Sequence, residues 1–143
     1  MSAEENKALI LRVFEEGVNG GDDAVFDEVI SPDYVNHSMP APTPGLEGFK
    51  QLIGMFRAAF PDLSVTVVDV VAEGDRVATR GTMSGTHRGD FMGVPATAGT
   101  VEVPYIDIWR VEGGKGVENW VQMDMLGIMQ QLGVVPMPEQ ATS

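Results

Sequence analysis

The stretch from Thr100 to Gly133 decides the fold. It reads TVEVPYIDIWRV (100–111), EGGK (112–115), GVENWVQMD (116–124) and MLGIMQQLG (125–133). Apolar residues alternate with other residues in the first and third pieces, which predicts two strands, and the glycine pair between them predicts a tight turn. The last piece predicts a short helix with Gly133 at its C′ position. The stretch is therefore predicted to be a β-hairpin followed by a helix.

Asp107 is a carboxylate in the middle of an otherwise apolar strand. Side chains alternate along a strand, so Tyr105, Asp107 and Trp109 share one face. Two large rings with polar tips around one acid favour a ligand pocket, and burial there would raise the carboxyl pKa towards the range of a general acid or base. The alternative is a solvated face on which Asp107 pairs with a surface cation. We predict the pocket, with Asp107 as its catalytic group.

Asp124 directly precedes the last helix. Aspartate is among the best N-cap residues and contributes about 1 kcal/mol to helix stability in that position. Capping therefore explains Asp124 without any chemistry. A catalytic role remains the alternative, which requires that its carboxylate also line the pocket.

The register of the final hairpin remains open. With equal parity, Asn119 and Val121 lie beside Asp107. With an offset of one residue, Trp120 and Gln122 lie there instead. Bulges are common in glycine-rich four-residue loops, so the sequence does not choose between the two registers.

The remainder of the chain places helices before strands. A capping box from Ser2 to Glu5 starts a first helix, and Asp22 can cap a second. The proline-rich segment 31–45 is predicted to be irregular, residues 46–60 a third helix, and 63–72 and 76–87 two further strands. Helices segregated from strands predict an α+β fold, with three N-terminal helices on one face of a curved antiparallel sheet and a short C-terminal helix. We predict one domain over residues 1–134 and a tail over 135–143.

Composition excludes several classes of function. The 143 residues carry a formal net charge of −12 and no cysteine. An acidic surface repels nucleic acid, and no apolar run is long enough for a membrane span. There is no signal-peptide pattern, so the cytoplasm is the expected compartment. The two histidines lie far apart, and no phosphate-binding glycine motif occurs, so neither a metal nor an organic cofactor is expected.

Two further polar residues are predicted to serve the pocket. His87 ends a strand and opens the loop RGDFMG, where it could shuttle protons or hydrogen-bond a buried acid; a simple loop contact is the alternative. Asn36, in the proline-rich segment, could donate to a carbonyl oxygen of a ligand.

The chain resembles the SnoaL-like polyketide cyclases of the NTF2-like fold. The resembling elements are NKALILRVFEEGVNGGD, SPDYVNHS, GLEGFKQLIGMFRAAFPDL, GDRVATRGTMSGTHRGDFMGVPAT, PYIDIWRVEGGKGVENW and DMLGIMQQLG. The resemblance implies a cone-shaped α+β domain that holds a hydrophobic aromatic or polyketide-derived substrate. It also implies aldol-type ring closure by acid/base chemistry without a cofactor.

The resemblance assigns roles to individual positions. Phe14 matches a pocket-lining position of the first helix, and the histidine of GTHRGD, His87, matches a recurring family histidine. The catalytic aspartate of the cyclases aligns with Val121, and Asp107 aligns with their assisting histidine, so Asp107 or Asp124 would have to take over the role of the acid. Tyr105, Trp109 and Trp120 are expected to complete the walls.

Two alternative functions and one prediction about assembly follow from the same reading. The related polyketide hydroxylases have similar pockets with different acid placement. A non-catalytic NTF2-like protein would bind a small molecule without converting it. Apolar residues on both faces of 101–111 also predict a homodimer through the sheet.

Overall fold

The computed structural model describes residues 2–39 and 41–136. The helices are α1 (Ala3–Arg12), α2 (Asp23–Val29), α3 (Gly45–Ala59) and α4 (Met125–Gln131), and α1 continues into a π-helical turn over Val13–Val18. The strands are β1 (Ile30–Asn36), β2 (Ser64–Glu73), β3 (Arg76–Thr86), β4 (Thr100–Glu112) and β5 (Lys115–Met123). The predicted α+β class, with helices packed on one face of a sheet, is confirmed.

The five strands form one sheet in the order β1-β5-β4-β3-β2. Strands β2 to β5 pair antiparallel; tight turns join β2 to β3 and β4 to β5, and residues 87–99 join β3 to β4. Along β4, buried and exposed side chains alternate over nearly the whole strand. The inner face of the sheet therefore faces the helices, and the outer face is left open in the monomer.

Strand β1 corrects two sequence predictions. Residues 31–36, predicted to be irregular, form a strand that pairs in parallel with β5, so the sheet is mixed. Proline is tolerated at a sheet edge because its missing N–H can face outward, and Pro32 lies in this edge strand. The register slips between Ile30 and Val35, which accommodates the poor strand formers between them.

The helix ends follow the predicted capping chemistry. The Ser2 hydroxyl accepts a hydrogen bond from the Glu5 amide at 3.1 Å, and the Ser2 amide donates to the Glu5 carboxylate at 3.0 Å. Asp22 caps α2 through the Ala24 amide at 3.1 Å. Gly133 has a φ of 80°, the left-handed conformation expected just after α4.

The π-helical turn brings the end of the first helix onto the cavity. The Asn19 amide donates to the Phe14 carbonyl at 2.8 Å, a bond that spans five residues instead of four. The extra residue in the turn directs Val13, Phe14 and Val18 towards the inside of the cone. Such turns are rare and concentrate at functional sites.

Two apolar clusters form the core. The first joins α1, α2, β1 and α3 to the inner face of β3 and β4, and Phe26 and Trp109 lie at its centre. The second joins the end of α3 to the loop after β3 and to α4, around Phe60 and Ile128. Of the predicted tail 135–143, residues 137–143 lie outside the described residues. Within the described residues, no helix is both long and apolar enough to cross a membrane.

Candidate active site

A cavity of about 90 Å³ lies between the helices and the inner face of the sheet. Its walls are almost entirely apolar and come from the π-helical turn, β1, α3 and the inner face of the sheet. Stacked and edge-on aromatic pairs, Phe14–Tyr105, Tyr34–Phe49 and Tyr34–Trp109, hold those walls with centroid distances of 5.5–5.8 Å. The cavity is thus a mainly apolar pocket of defined shape.

Asp107 lies at the floor of this cavity and is only 4% exposed. The hairpin adopts the equal-parity register: Val121 pairs with Asp107, and Asn119 pairs with Trp109. The face shared by Tyr105, Asp107 and Trp109 is the buried one, as predicted, because β4 turns these residues towards the helices.

Hydrogen bonds fix both oxygens of the Asp107 carboxylate. The Thr79 hydroxyl, directly across from Asp107 on β3, donates to Oδ1 at 2.6 Å. The Trp109 indole N–H donates to Oδ2 at 3.0 Å. The Tyr105 hydroxyl lies 3.0 Å from the Thr79 hydroxyl and extends the network. The carboxylate is therefore held in one orientation with its remaining lone pairs available to the cavity.

Burial dominates the acidity of this group. It raises the pKa of Asp107 to about 6, while hydrogen bonds from Thr79, Trp109 and Asn119 act in the opposite direction. The result is a carboxyl group that changes protonation close to neutral pH, as a general acid or base requires. Burial also raises the pKa of Tyr105 to about 12, so its hydroxyl remains protonated.

Tyr34 and Asn119 form a second polar pair in the cavity. The Tyr34 hydroxyl donates to Asn119 Oδ1 at 3.4 Å, and the Asn119 amide donates to the Ile108 carbonyl at 3.3 Å. Both residues are nearly fully buried. Burial raises the pKa of Tyr34, so this hydroxyl too stays a neutral donor.

Four of the predicted substrate-binding residues line the cavity: Phe14, Asn36, Tyr105 and Trp109. The Asn36 Oδ1 atom accepts hydrogen bonds from the amides of Ser38 and Met39 at 2.9 and 3.0 Å. These bonds orient the side chain, so its amide nitrogen is the part available to donate to a ligand.

The structure places Trp120 outside the cavity. It pairs with Ile108, and its ring stacks on His37 at 4.8 Å, with the guanidinium of Arg76 5.1 Å from the ring centroid. The register explains why the prediction for Trp120 was wrong. Asp107 pairs with Val121, so the even-numbered residues of β5 lie on the opposite face of the sheet. Trp120 is therefore not a wall of this pocket.

His87 is buried, but it is not among the cavity-lining residues. It lies eight residues beyond Thr79, which corresponds to roughly 26 Å along an extended chain. Its Nδ1 accepts from the Thr97 amide at 3.2 Å, and its backbone bonds to Ala98 and Gly99. His87 thus anchors the loop after β3, and the expected contact with Asp107 is absent from the described residues.

Asp124 is exposed and caps α4. Its carboxylate accepts a hydrogen bond from the Gly127 amide at 2.7 Å, which confirms the capping role. It does not line the cavity. In residues 2–39 and 41–136, no group of three or more His, Asp or Glu side chains is arranged to hold a metal ion.

Sequence reasoning missed Thr79 and left Tyr34 without a role. Threonine is common in strands, so nothing about residue 79 by itself indicates a buried hydroxyl. The informative signal is its pairing with Asp107, which requires the register between β3 and β4. Tyr34 was hidden by the prediction that its segment is irregular.

Solved structures similar to this chain cover nearly all of it. TsrD from Streptomyces laurentii is 31% identical with a TM-score of 0.87, and the match covers 94% of this chain and 99% of that chain. IdmH from Streptomyces antibioticus, a proposed polyketide cyclase, is 36% identical with a TM-score of 0.79, covering 90% and 99%. AclR from Streptomyces galilaeus, a proposed hydroxylase, is 35% identical with a TM-score of 0.83, covering 96% and 87%.

No match was found among curated proteins. The family model described as SnoaL-like polyketide cyclase matches residues 8–132, which include every cavity-lining residue described above. The chain belongs to the SnoaL-like polyketide cyclase family.

Proposed function

We propose that this protein is an enzyme that performs acid/base chemistry on a hydrophobic ketone, with Asp107 as the catalytic residue. The observation that carries the proposal is a single carboxylate, buried at the floor of an apolar cavity and held by Thr79 and Trp109. Family membership and the proposed cyclase activity of IdmH support aldol-type ring closure of an aromatic or polyketide-derived substrate.

The proposed reaction needs one group that first accepts and then returns a proton. Asp107 as carboxylate removes a proton from the carbon next to a carbonyl, and the substrate carbonyl takes up the electron pair as an enolate. The enolate carbon attacks a second carbonyl of the same molecule. Asp107 then returns its proton to the alkoxide that forms, which regenerates the carboxylate. The substrate supplies its own electron sink.

Neutral hydrogen-bond donors around the cavity can stabilise the negative charge that develops on the substrate oxygen. The Asn36 amide and the hydroxyls of Tyr34 and Tyr105 lie in the lining with Asp107. An oxyanion in an apolar site gains more from such donors than it would in water. We assign the Asn36 amide to orienting the carbonyl. The Tyr34 and Tyr105 hydroxyls stabilise the enolate by turning their protons from Asn119 and Thr79 towards it.

The direct test is deuterium exchange at the carbon next to the carbonyl of an aryl ketone such as acetophenone. In D₂O, wild-type protein is expected to accelerate exchange of the methyl protons, and Asp107→Asn to abolish that acceleration. Asp124→Asn is the matched control, because asparagine preserves the cap of α4. Equal exchange by wild type and Asp107→Asn would remove Asp107 from the mechanism.

Hydroxylation is the second proposed activity, and the similarity to AclR favours it. The two activities differ in the origin of oxygen in the product. Incubation of a polyketide-derived aromatic substrate under ¹⁸O₂ gives a labelled product if the protein hydroxylates it and an unlabelled product if it only closes a ring. A ligand that is bound and returned unchanged would instead indicate a binding protein.

A further inference from the structure

The cavity at Asp107 is small compared with the ligands that the family is named for. Its volume is about 90 Å³, whereas pockets for drug-sized ligands usually measure about 300–1,000 Å³. It is also smaller than an apolar cavity of roughly 150 Å³ that binds benzene, so only the reacting carbonyl and part of its ring fit beside Asp107. The remaining rings or chain of a polyketide-derived substrate need further space that is continuous with the cavity.

A groove of about 450 Å³ adjoins the cavity between α3 and the loop after β3. Its most prominent lining residues are Met39, Met55, Met92, Met125, Phe56 and Phe91. Three side chains, Met39, Leu52 and Phe56, line both the groove and the cavity. These shared side chains lie between the two spaces, and methionine changes conformation readily.

Met92 is an unusual residue for its place in the backbone. The amide of Phe91 donates to the carbonyl of Val94 at 2.9 Å, and the amide of Val94 donates to that of Phe91 at 2.8 Å. Met92 and Gly93 form the tight turn between them, with φ of 49° and 83°. Turns with two positive φ values strongly favour Asn-Gly, so a methionine here is locally unfavourable.

The exposure of the groove methionines adds to this observation. Met92 is 67% exposed and Met55 is 53% exposed. The turn therefore holds a large apolar side chain in solvent at the rim of the groove, at the cost of backbone strain. A ligand that covers Met92 and Met55 would recover the free energy of burying them.

We propose that this methionine groove is the distal subsite of the enzyme and that Met92 determines the length of substrate it accepts. The inference rests on the proposed function, because it assumes that the reacting carbonyl lies beside Asp107. The substrate class that follows is a neutral molecule of about three fused rings, or a chain of similar length. Its reacting end occupies the cavity and its distal end lies on Met92 and Met55.

A second groove, of about 320 Å³, also adjoins the cavity. It shares Tyr34, Asn36, Met39 and Phe49 with the cavity and Met39 with the methionine groove. It runs along the proline-rich segment and includes Pro42 and Thr43. Its rim consists mainly of short or polar residues, which gain less than methionine from covering an aromatic ring. We therefore assign the distal rings to the methionine groove and use Pro42 as the rival position.

The test compares a short ligand with a long one. Acetophenone reaches little beyond the cavity, whereas the methyl ester of anthraquinone-2-carboxylic acid extends far enough to lie on Met92 and Met55. Trp120→Phe serves as the background for all variants, because Trp109 is then the sole tryptophan and its quenching reports a ligand at the floor of the cavity.

Met92→Asn is the decisive variant. Asparagine suits the turn, so the melting temperature should stay the same or rise, while affinity for the anthraquinone ester falls about tenfold and affinity for acetophenone stays within twofold. Met92→Leu, which keeps an apolar side chain, should retain the affinity for the ester. Val68→Asn, an exposed apolar position on β2, is the matched control and should change neither affinity.

Four results would overturn the distal subsite, three of them from the variants. Those three are unchanged affinity of Met92→Asn for the ester, equal loss of both ligands, and a loss for the ester in Pro42→Asn instead. An ester that fails to quench Trp109 while acetophenone does so would also overturn it. Failure of the proposed function is separate, because it appears as exchange that survives Asp107→Asn, whatever the two affinities are.

Discussion

At the scale of single residues, the buried carboxylate of Asp107 lowers the stability of the folded protein when it is charged. Its pKa of about 6 in the folded protein lies above the ordinary value of 3.8. The folded state therefore binds this proton more tightly than the unfolded chain. That contribution to stability is fully present below about pH 4 and is lost as the pH rises through 6. At neutral pH the protein thus keeps a charge where it is costly.

Asp107→Asn should stabilise the protein at pH 8 and not at pH 4. The neutral amide avoids the burial of a charge, and two pKa units correspond to about 3 kcal/mol, which is an upper limit because the hydrogen bonds from Thr79 and Trp109 weaken. Chemical denaturation of wild type and variant at both pH values measures the difference. A gain of equal size at pH 4 and pH 8 would show that the charge of Asp107 is not its cause.

Thr79→Val should shift the pH dependence of the reaction. The hydroxyl donates to the charged form of Asp107, so its removal raises the pKa of Asp107 further. The rate of proton abstraction rises with pH through that pKa, and its acidic limb should move to higher pH in the variant. Thr82→Val, on the outer face of the same strand, is the control and should leave the profile unchanged.

At the scale of secondary-structure elements, the π-helical turn depends on one glycine. A Cβ added at Gly17 would clash with the ring of Phe26, which is fully buried and cannot move aside cheaply. The turn that carries Phe14 and Val18 into the cavity therefore requires glycine at this position.

Gly17→Ala should destabilise the protein by about 1–3 kcal/mol, the usual cost of overpacking a core. Gly54→Ala in α3 is the matched control, because an added Cβ there meets nothing within 4 Å. This control should be stabilising by about 0.5–1 kcal/mol through helix propensity. Urea denaturation measures both, and equal effects of the two substitutions would contradict the role of Gly17.

Elements with a clear apolar periodicity were predictable from the sequence, and the edge strand β1, which has none, was not. Alternation of apolar residues predicted β2 to β5, and apolar stripes at helical spacing predicted α1 and α3. The edge strand β1 was missed because its pairing with β5, and not its residue types, makes it a strand. For the same reason Asp107 was identified as an acid in an apolar strand, whereas Thr79, an ordinary strand residue, required the register.

At the scale of the whole molecule, the outer face of the sheet carries an exposed apolar row flanked by ion pairs such as Arg80–Asp69 and Arg110–Glu118. Val71, Ala78, Ile108 and Trp120 follow one another across β2, β3, β4 and β5 as paired residues. Val71 is 63% exposed and Ile108 is 43% exposed. An exposed apolar row of this kind favours a self-complementary contact, whose burial has to outweigh the repulsion between two chains of net charge −12.

We predict a homodimer through this face. Ile108→Glu should convert it to a monomer, because the new carboxylates would face each other across the two-fold axis. Sedimentation of wild type and variant at micromolar concentration measures the masses, and Met55→Glu on the opposite side of the molecule is the control. A wild-type monomer under these conditions would contradict the prediction.

The polar floor of the cavity and the methionine groove come largely from different parts of the chain. Asp107, Thr79 and Asn119 belong to the central strands, whereas the methionine groove belongs to α3, α4 and the loop after β3. Substitutions in the methionine groove leave Asp107, Thr79 and Asn119 in place. Replacing residues 88–99 of one relative with those of another should therefore change the substrate preference and retain catalysis. New pathways could then recruit this scaffold by altering one loop.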